Sequence, residues 1–272
     1  MEKEILTLDE AAQLFGVSVK TFIKLLKEDK VPARKIGREW RFSRNALISW
    51  LSAGDSQTYS ASEGELKEFF NQVAPEWEEI SREYYDQSIK NRIVDMGILM
   101  KNMTVVDLGC GDGYISRAVS GMVDKVIAID ISSKMLELLN KKAAEAGIKN
   151  IETIETEAQE VPLKDSIADV VFASMFLHHI EEPEEIIQEM YRIVRPEGIA
   201  VIADFQKHKN AEMKKRMHDV WSGFSTSEVK KWFINAGFSN INIEILEHEN
   251  NYSSEYNNIG EKPSVFILTA EK

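Results

Sequence analysis

Apolar and polar positions change period along the chain, and each change marks a different kind of structure. Up to residue 51 the spacing is helical: Leu8, Ala11, Ala12 and Leu14 share one face, then Val19, Phe22, Ile23 and Leu26, then Ala46, Leu47, Trp50 and Leu51. Thr7 with Glu10 three residues later is a capping-box pattern for the first helix; Gly16-Val17-Ser18 turns the chain, and Ser18 can cap the second helix. Arg34 to Phe42 reads as two short strands about Gly37, and Ser43 caps the third helix. Residues 53–64 are small and polar without periodicity, which predicts a flexible linker between a domain at 1–52 and another at 65–272.

From Glu65 the spacing is helical again, through Leu66, Phe69, Phe70, Val73, Trp77, Ile80, Tyr84 and Tyr85, with a break at Pro75 and a further helical segment from Ile89 to Leu99. Beyond Met103 short apolar strands alternate with helices. Strands are expected at Thr104–Leu108, Lys125–Asp130, Asn150–Ile154, Ile167–Ser174 and Ile199–Ala203, then at Ile241–Leu246 and Ser264–Ala270. Helices are expected at Tyr114–Met122, Lys134–Ala146, Glu182–Val194 and Ser227–Ala236. Such alternation predicts an α/β fold with a doubly wound parallel sheet and ligands at the strands' carboxyl ends. The last two strands, with no helix between them, are expected to form an antiparallel pair. The aromatic helical stretch before the sheet is expected to pack on it and to act as a lid.

Length fits this division, since 272 residues suit one or two domains. Charge adds a contrast. The net charge of −12 argues against general affinity for nucleic acid or anionic membrane, yet residues 1–51 hold ten Lys/Arg against seven Asp/Glu. One cysteine, Cys110, excludes an internal disulfide and a multi-cysteine metal site, and no metal site is expected. Neither a signal-peptide pattern nor an apolar run near 18 residues occurs, so a cytoplasmic protein without membrane attachment is expected.

The candidate chemistry centres on Val105–Gly113. Two β-branched residues run into Asp107 and then into Gly109, Gly111 and Gly113, a strand that breaks into a tight loop whose N–H groups can approach a ligand. A dinucleotide loop of the form G-x-G-x-x-G begun at Gly109 would need glycine where Tyr114 stands. Asp130 ends the second strand, where a carboxylate can take both hydroxyls of a ribose.

Five motifs follow in order: Asp107-Leu108-Gly109-Cys110-Gly111-Asp112-Gly113, Asp130-Ile131-Ser132-x-x-Met135-Leu136, Glu157-Ala158-x-x-Val161-Pro162-Leu163, Asp169-Val170-Val171 with Leu177-His178-His179, and Val194-x-Pro196-x-Gly198. Together they resemble the class I S-adenosylmethionine-dependent methyltransferases of the small-molecule type, across roughly residues 65–272. The resemblance implies a Rossmann-like sheet with S-adenosylmethionine as methyl donor and S-adenosylhomocysteine as product. It places the loop at Gly109, Gly111 and Gly113 against the methionine part, Asp107 near its amino group and Asp130 on the ribose. Ile131 and Met135 would sandwich the adenine, Glu157 would accept from its amine, the Ala158 N–H would meet a ring nitrogen, and Ser174 would lie beside the methyl group.

Methyl transfer is an in-line displacement that needs alignment and exclusion of water, and a general base only when the acceptor must lose a proton. His178 and His179, after the fourth strand, are the candidates for that role. Amino-methylation of DNA uses an Asn/Asp/Ser-Pro-Pro-aromatic motif where this chain has Ser174-Met175-Phe176-Leu177, and cytosine-carbon methylation needs a Pro-Cys nucleophile that is missing. A small-molecule acceptor is therefore expected. As(III) is disfavoured as well, since several cysteines would hold it.

Asp204-Phe205-x-x-His208 and Asp219-x-Trp221-x-Gly223-Phe224-Ser225 are similar to elements of methyltransferases fused to arsenic-repressor-type DNA-binding domains. That likeness implies that His208 and Trp221 border the acceptor pocket, with Tyr84 and Tyr85 of the lid as further pocket candidates.

Residues 4–52 resemble the excisionase/MerR-type winged helix-turn-helix, through Leu8-x-x-x-Ala12, Val17-Ser18-x-x-Thr21 and Lys35-Ile36-Gly37-x-x-x-Arg41. This resemblance implies double-stranded DNA as a partner, with Lys20, Thr21 and Lys24 nearest the major groove and Arg38 and Arg41 on the wing. A single small module makes few contacts, so tight binding calls for a homodimer.

Overall fold

The computed structural model describes residues 3–28, 31–37, 39–53, 56–84, 87–159, 161–246 and 263–272; within these, the side chains of 24, 27, 28, 52, 53, 56–63, 83 and 84 are not described. Two compact units emerge, 1–64 and 65–272.

In the smaller unit, β1 (Ile5–Leu6) leads into α1 (Leu8–Leu14), followed by α2 (Val19–Glu28), β2 (Arg34–Ile36), β3 (Glu39–Ser43) and α3 (Arg44–Ala53). The capping box at Thr7 forms in full: the Thr7 side chain accepts from the Glu10 N–H and the Glu10 carboxylate accepts from the Thr7 N–H. Ser18 Oγ accepts from the Thr21 N–H at 3.0 Å, and Ser43 Oγ from the Ala46 N–H at 3.3 Å, so each helix starts on its own hydroxyl. Phe22, Phe42 and Leu47 are fully buried at the centre. The pair β2 and β3 gains a third strand, because β1 pairs antiparallel with β3. Two residues are too few to show a strand period.

α4 (Ser56–Val73) spans residue 64, and the larger unit continues with α5 (Trp77–Tyr84) and α6 (Ser88–Asp95), with Pro75 in a short 3-10 turn between α4 and α5. The helix expected from Glu65 begins at Ser56, inside the stretch read as linker; no proline stands there, and a polar segment can extend a helix whose apolar face is fixed downstream.

Next come β4 (Thr104–Leu108), α7 (Tyr114–Ser120), β5 (Lys125–Asp130), α8 (Ser133–Glu145), β6 (Ile151–Glu155), β7 (Ala168–Ser174), α9 (Pro183–Ile193) and β8 (Val194–Phe205). The chain closes with α10 (Ala211–Arg216), α11 (Thr226–Ala236), β9 (Ser239–Leu246) and β10 (Val265–Glu271).

Seven strands form one sheet in the order β6-β5-β4-β7-β8-β10-β9. β4 to β8 are parallel, and β10 lies antiparallel between β8 and β9. The strand order reverses at β4, which puts a crevice at the carboxyl ends of β4 and β7. Helices cover both faces, and the central strands are buried on both sides, which explains their unbroken apolar runs. β8 is longer than expected. Val194 pairs with Ala168 before a register shift at Glu197, whose φ of 64° marks the bulge that Pro196-Glu197-Gly198 builds. The six-residue α10 escaped the sequence reading because Ala211–Arg216 carries mostly charge, with Met213 alone buried. Among the described residues no helix is long and apolar enough to cross a membrane.

Candidate functional site

β4 ends in Asp107 and Leu108, and the chain then turns sharply through Gly109, Gly111 and Gly113, with φ of 65°, 52° and 79°. At Gly109 a Cβ would meet the Phe176 ring at 2.2 Å, and at Gly113 it would meet Leu139 at 2.6 Å. Here glycine is required both for backbone sign and for space. Asp107 is buried beneath this loop, where its Oδ2 accepts from the Ser116 hydroxyl at 2.6 Å and from the Ser116 N–H at 3.1 Å. Burial, against the pull of those bonds and with help from the charges of Asp130 and Asp112, pushes its pKa up to about 7.

Asp130 closes β5 beside the loop. Its Oδ2 accepts from the Gly111 N–H at 2.8 Å and its Oδ1 from the Ser132 N–H at 2.9 Å, so one carboxylate holds the glycine turn and the start of α8 together. Burial raises its pKa to about 6, with the backbone donors opposing. Cys110 lies in the same loop, its thiol raised well above the usual range by burial and then by the charges of Asp130, Asp107 and Asp112. That makes it a small packing residue rather than a nucleophile.

The cap over this crevice comes from α4 and α5. Asn71 Oδ1 accepts from the Ser132 hydroxyl at 2.8 Å and from the Lys134 N–H at 3.3 Å. Lys142 on α8 bridges Glu78 on α5, at 3.0 Å, and Asp112 in the glycine loop, at 2.7 Å. Trp77 is nearly buried, and its ring nitrogen lies 3.9 Å from where a Gly111 Cβ would sit. Ile131 is half-buried at the mouth, while Met135 is fully buried one helical turn below, in the core shared with Trp77 and Val105. Just beyond β6, Glu157 is exposed and Ala158 is buried. Asp169, at the opposite end of the sheet, accepts from the Thr104 N–H and pairs with Arg195, each at 2.7 Å; its work is to fasten strands.

At the ends of β7 and β8 the character changes from nucleotide-like cradle to buried polar cluster. Ser174 closes β7, and its Oγ has no hydrogen-bond partner among the described residues; Met175 follows with φ of 53°, a conformation costly for an unbranched L residue. The chain then makes a 3-10 turn at Leu177–His179, and both histidines are buried. His178 Nδ1 lies 2.7 Å from Asp204 Oδ1, which also accepts from the Phe205 N–H. With Asp204 Oδ1 as the acceptor in both contacts, Nδ1 is the donor and the lone pair of the neutral ring lies on Nε2. Burial works against the imidazolium of His178, but the charge and hydrogen bond of Asp204, with Asp219 behind them, outweigh it and raise the pKa. His179 differs: burial and the neighbouring His178 and His218 hold it well below the usual histidine value, so it is neutral.

Asp219 stands between them, its Oδ1 3.3 Å from His179 Nδ1 and 3.7 Å from His178 Nε2, without hydrogen-bond geometry to either. Burial lifts its pKa to about 6, partly offset by His178. The loop that carries it is clamped to the histidine turn: the N–H groups of Val220 and Trp221 donate to the His178 carbonyl, and the Trp221 indole N–H donates to the Ile180 carbonyl at 2.8 Å. His208 accepts at Nδ1 from the Asn210 N–H, leaving a buried Nε2 without a partner. From the cap, Phe70 packs edge-on against His179 and Phe69 lies over His218, at 5.1 and 4.4 Å between centroids.

The fold thus brings His178 and His179 together with Asp204 and Asp219, two carboxylates quoted in sequence motifs but assigned no role there. Their separation of 26 and more residues hides the contact from local pattern. Asn71, Phe69 and His218 were not singled out either; apolar spacing marks Phe69 as a packing residue and says nothing of what it covers. Tyr85 lies outside the described residues, as does the side chain of Tyr84.

On the smaller unit, Lys20 and Thr21 are exposed on α2, and the Thr21 hydroxyl is hydrogen-bonded to Ser18 Oγ at 2.7 Å. Arg41 on β3 is paired with Glu39 and donates to the Trp40 carbonyl at 3.0 Å. Arg38 and the side chain of Lys24 lie outside the described residues.

Comparison with known proteins follows the same division. Residues 106–202 match the methyltransferase domain family, and residues 5–55 match a helix-turn-helix domain family. The ubiquinone/menaquinone biosynthesis C-methyltransferase of Escherichia fergusonii is 30% identical over 122 residues, 43% of this chain and 49% of that protein. Its counterpart from Wigglesworthia glossinidia brevipalpis is 28% identical over 137 residues, 49% of this chain and 54% of that one. The chain therefore spans about half the length of the curated relatives it matches. A SAM-dependent methyltransferase from Aquifex aeolicus aligns with a TM-score of 0.54 at 23% identity, over 76% of this chain and 96% of that one, a likeness of fold.

Proposed function

We propose that this chain is a class I S-adenosylmethionine-dependent methyltransferase acting on a small molecule and that its smaller unit binds double-stranded DNA, a reading supported by the match of residues 106–202 to the methyltransferase domain family and of residues 5–55 to a helix-turn-helix domain family. S-adenosylmethionine is the cofactor. Its sulfonium, amino group and ribose diol match the acidic crevice of Asp107 and Asp130 beside the glycine turn. The further contacts of this reading are Ile131 and Met135 on the adenine, Glu157 and Ala158 at its edge, and Ser174 beside the methyl group.

The observation that carries the acceptor side is the buried His178, His179, Asp204 and Asp219 cluster at the end of β7 and β8. Buried polar atoms without partners are costly, so a site that keeps several of them is shaped for a ligand that supplies the missing bonds. Phe69, Phe70, Phe205 and Met175 around it suit an acceptor with a flat or apolar body and one polar nucleophilic group. His178 and His179 hold that group, with His208 and Trp221 at the border. Closure by α4 and α5 excludes water while the acceptor atom is aligned with the methyl–sulfur bond.

DNA binding would use the exposed Lys20 and Thr21 of α2, with Arg41 on the wing, and two copies of the chain for tight binding. The DNA-binding unit also favours a second reading, a regulator that senses cofactor or metabolite without turnover. Incubation with methyl-labelled cofactor and a metabolite extract tests both: labelled small-molecule product is expected, whereas no product together with cofactor-dependent DNA binding would establish the regulator instead.

A further inference from the structure

Asp204, Asp219, His178 and His179 make more sense together than as separate hydrogen-bonding groups. One ring nitrogen of His178, one of His179 and a carboxylate oxygen of Asp219 all lie within 4.8 Å of one another, with all three residues buried. His178 Nε2 and His179 Nδ1 are 3.7 and 3.3 Å from Asp219 Oδ1. Those spacings are too long for good hydrogen bonds, yet tetrahedral bonds of ~2.1 Å to one ion place its ligand atoms about 3.4 Å apart. Among the described residues His179 Nδ1 and both Asp219 oxygens have no hydrogen-bond partner, whereas a shared hydrogen would have given them one. Outside the trio, Asp204 Oδ1 takes the Nδ1 hydrogen of His178 at 2.7 Å. A carboxylate on the far nitrogen is the arrangement that fixes a metal-binding imidazole's tautomer and direction.

We propose that His178 Nε2, His179 Nδ1 and Asp219 bind one divalent first-row transition ion of the zinc type, oriented by Asp204. Three protein ligands of nitrogen and oxygen leave the fourth position to an outside molecule, the pattern of reactive rather than structural sites. Phe70 from the cap packs against His179, so on the methyltransferase reading the fourth ligand is the acceptor's oxygen, nitrogen or sulfur atom. A bound hydroxyl or thiol would release its proton to solvent; the resulting anion attacks the methyl carbon while the carbon–sulfur electron pair returns to sulfur. One cysteine in the sequence gave no sign of such a site, because its ligands are imidazoles and a carboxylate from two separate loops.

Metal binding tests this without requiring turnover. Tag-free full-length chain, stripped with chelator, is titrated with cobalt(II) and then zinc(II), while S-adenosylhomocysteine binding is measured on the same samples. One equivalent of cobalt with the visible bands of a four-coordinate site is expected, displaced by zinc. His179→Gln and Asp219→Asn should each weaken binding at least ~10-fold, and Asp204→Asn ~10–100-fold, with S-adenosylhomocysteine affinity retained. Absence of stoichiometric binding, or binding that all three variants keep, overturns the site while leaving the methyltransferase reading untouched. Should a variant also lose S-adenosylhomocysteine binding, the loaded wild type decides: paramagnetically shifted signals from two histidine rings support the site, and none overturns it.

Discussion

The Asp130 carboxylate holds the Gly111 N–H at 2.8 Å across the mouth of the crevice, and through its second oxygen it holds the Ser132 N–H. One side chain therefore sets the glycine turn and caps the entry to α8, and on the proposed reading its remaining lone pairs take a ribose diol. Asp130→Ala should abolish measurable S-adenosylhomocysteine binding in a calorimetric titration, while residues 1–51 keep their fold. Unchanged affinity would remove Asp130 from the cofactor site.

Gly109 and Phe176 make a second pair that can be tested. A methyl at Gly109 demands a left-handed φ of an L residue, about 1–2 kcal/mol, and meets the Phe176 ring, a further ~1–3 kcal/mol of overpacking. Gly109→Ala should lower unfolding stability by about 3 kcal/mol in denaturant titration, and adding Phe176→Ala should recover only the packing part. Full recovery in the double variant would show that backbone strain contributes nothing.

Asp107 and Asp130 keep their protons to about pH 7 and about pH 6, above the ordinary 3.8, because they are buried. Between 3.8 and those values the folded chain binds more protons than the unfolded one, so their contribution to stability is complete below 3.8 and is lost as pH rises through about 6 to 7. A cationic ligand reverses the preference by favouring the ionised carboxylates. S-adenosylmethionine should bind several-fold more tightly at about pH 8 than at about pH 5.5, releasing protons as it binds at the lower pH. Flat affinity across that range would mean that neither carboxyl changes ionisation on binding.

Asp204 is fully buried and orients His178 through Nδ1. Asp204→Asn can donate to that nitrogen and select the wrong tautomer, so methyl transfer from labelled cofactor should fall about 100-fold or more while S-adenosylhomocysteine affinity stays within about twofold. A loss in affinity equal to the loss in rate would assign Asp204 to the fold instead.

On the smaller unit, Arg41 is paired with Glu39, so on the proposed DNA-binding reading Glu39 competes with phosphate for the guanidinium. Arg41→Ala and Lys20→Ala should each reduce the slope of log affinity against log salt by about 0.9 on a mixed-sequence duplex, measured by fluorescence anisotropy. Glu39→Gln should tighten binding by releasing the guanidinium. Identical salt slopes in all variants would move DNA to another surface.

The strand-and-helix alternation and the hydroxyl caps at Thr7, Ser18 and Ser43 were legible in the sequence, because each is written in local period or in residues a few positions apart. So were the ends of β4 and β5, where Asp107 and Asp130 come to rest at the crevice: a parallel sheet delivers its strand ends to one side. Chain distance hid the rest. Asp204 meets His178 only because β8 lies beside β7, and Asp219 reaches both histidines only because Val220 and Trp221 hydrogen-bond back to the 178 carbonyl. The sequence by itself determined the alternating α/β fold and the glycine turn between Asp107 and Asp130, through periods and short motifs. Tertiary structure alone decided the acceptor-side cluster, since contacts between loops that follow different strands leave no period behind.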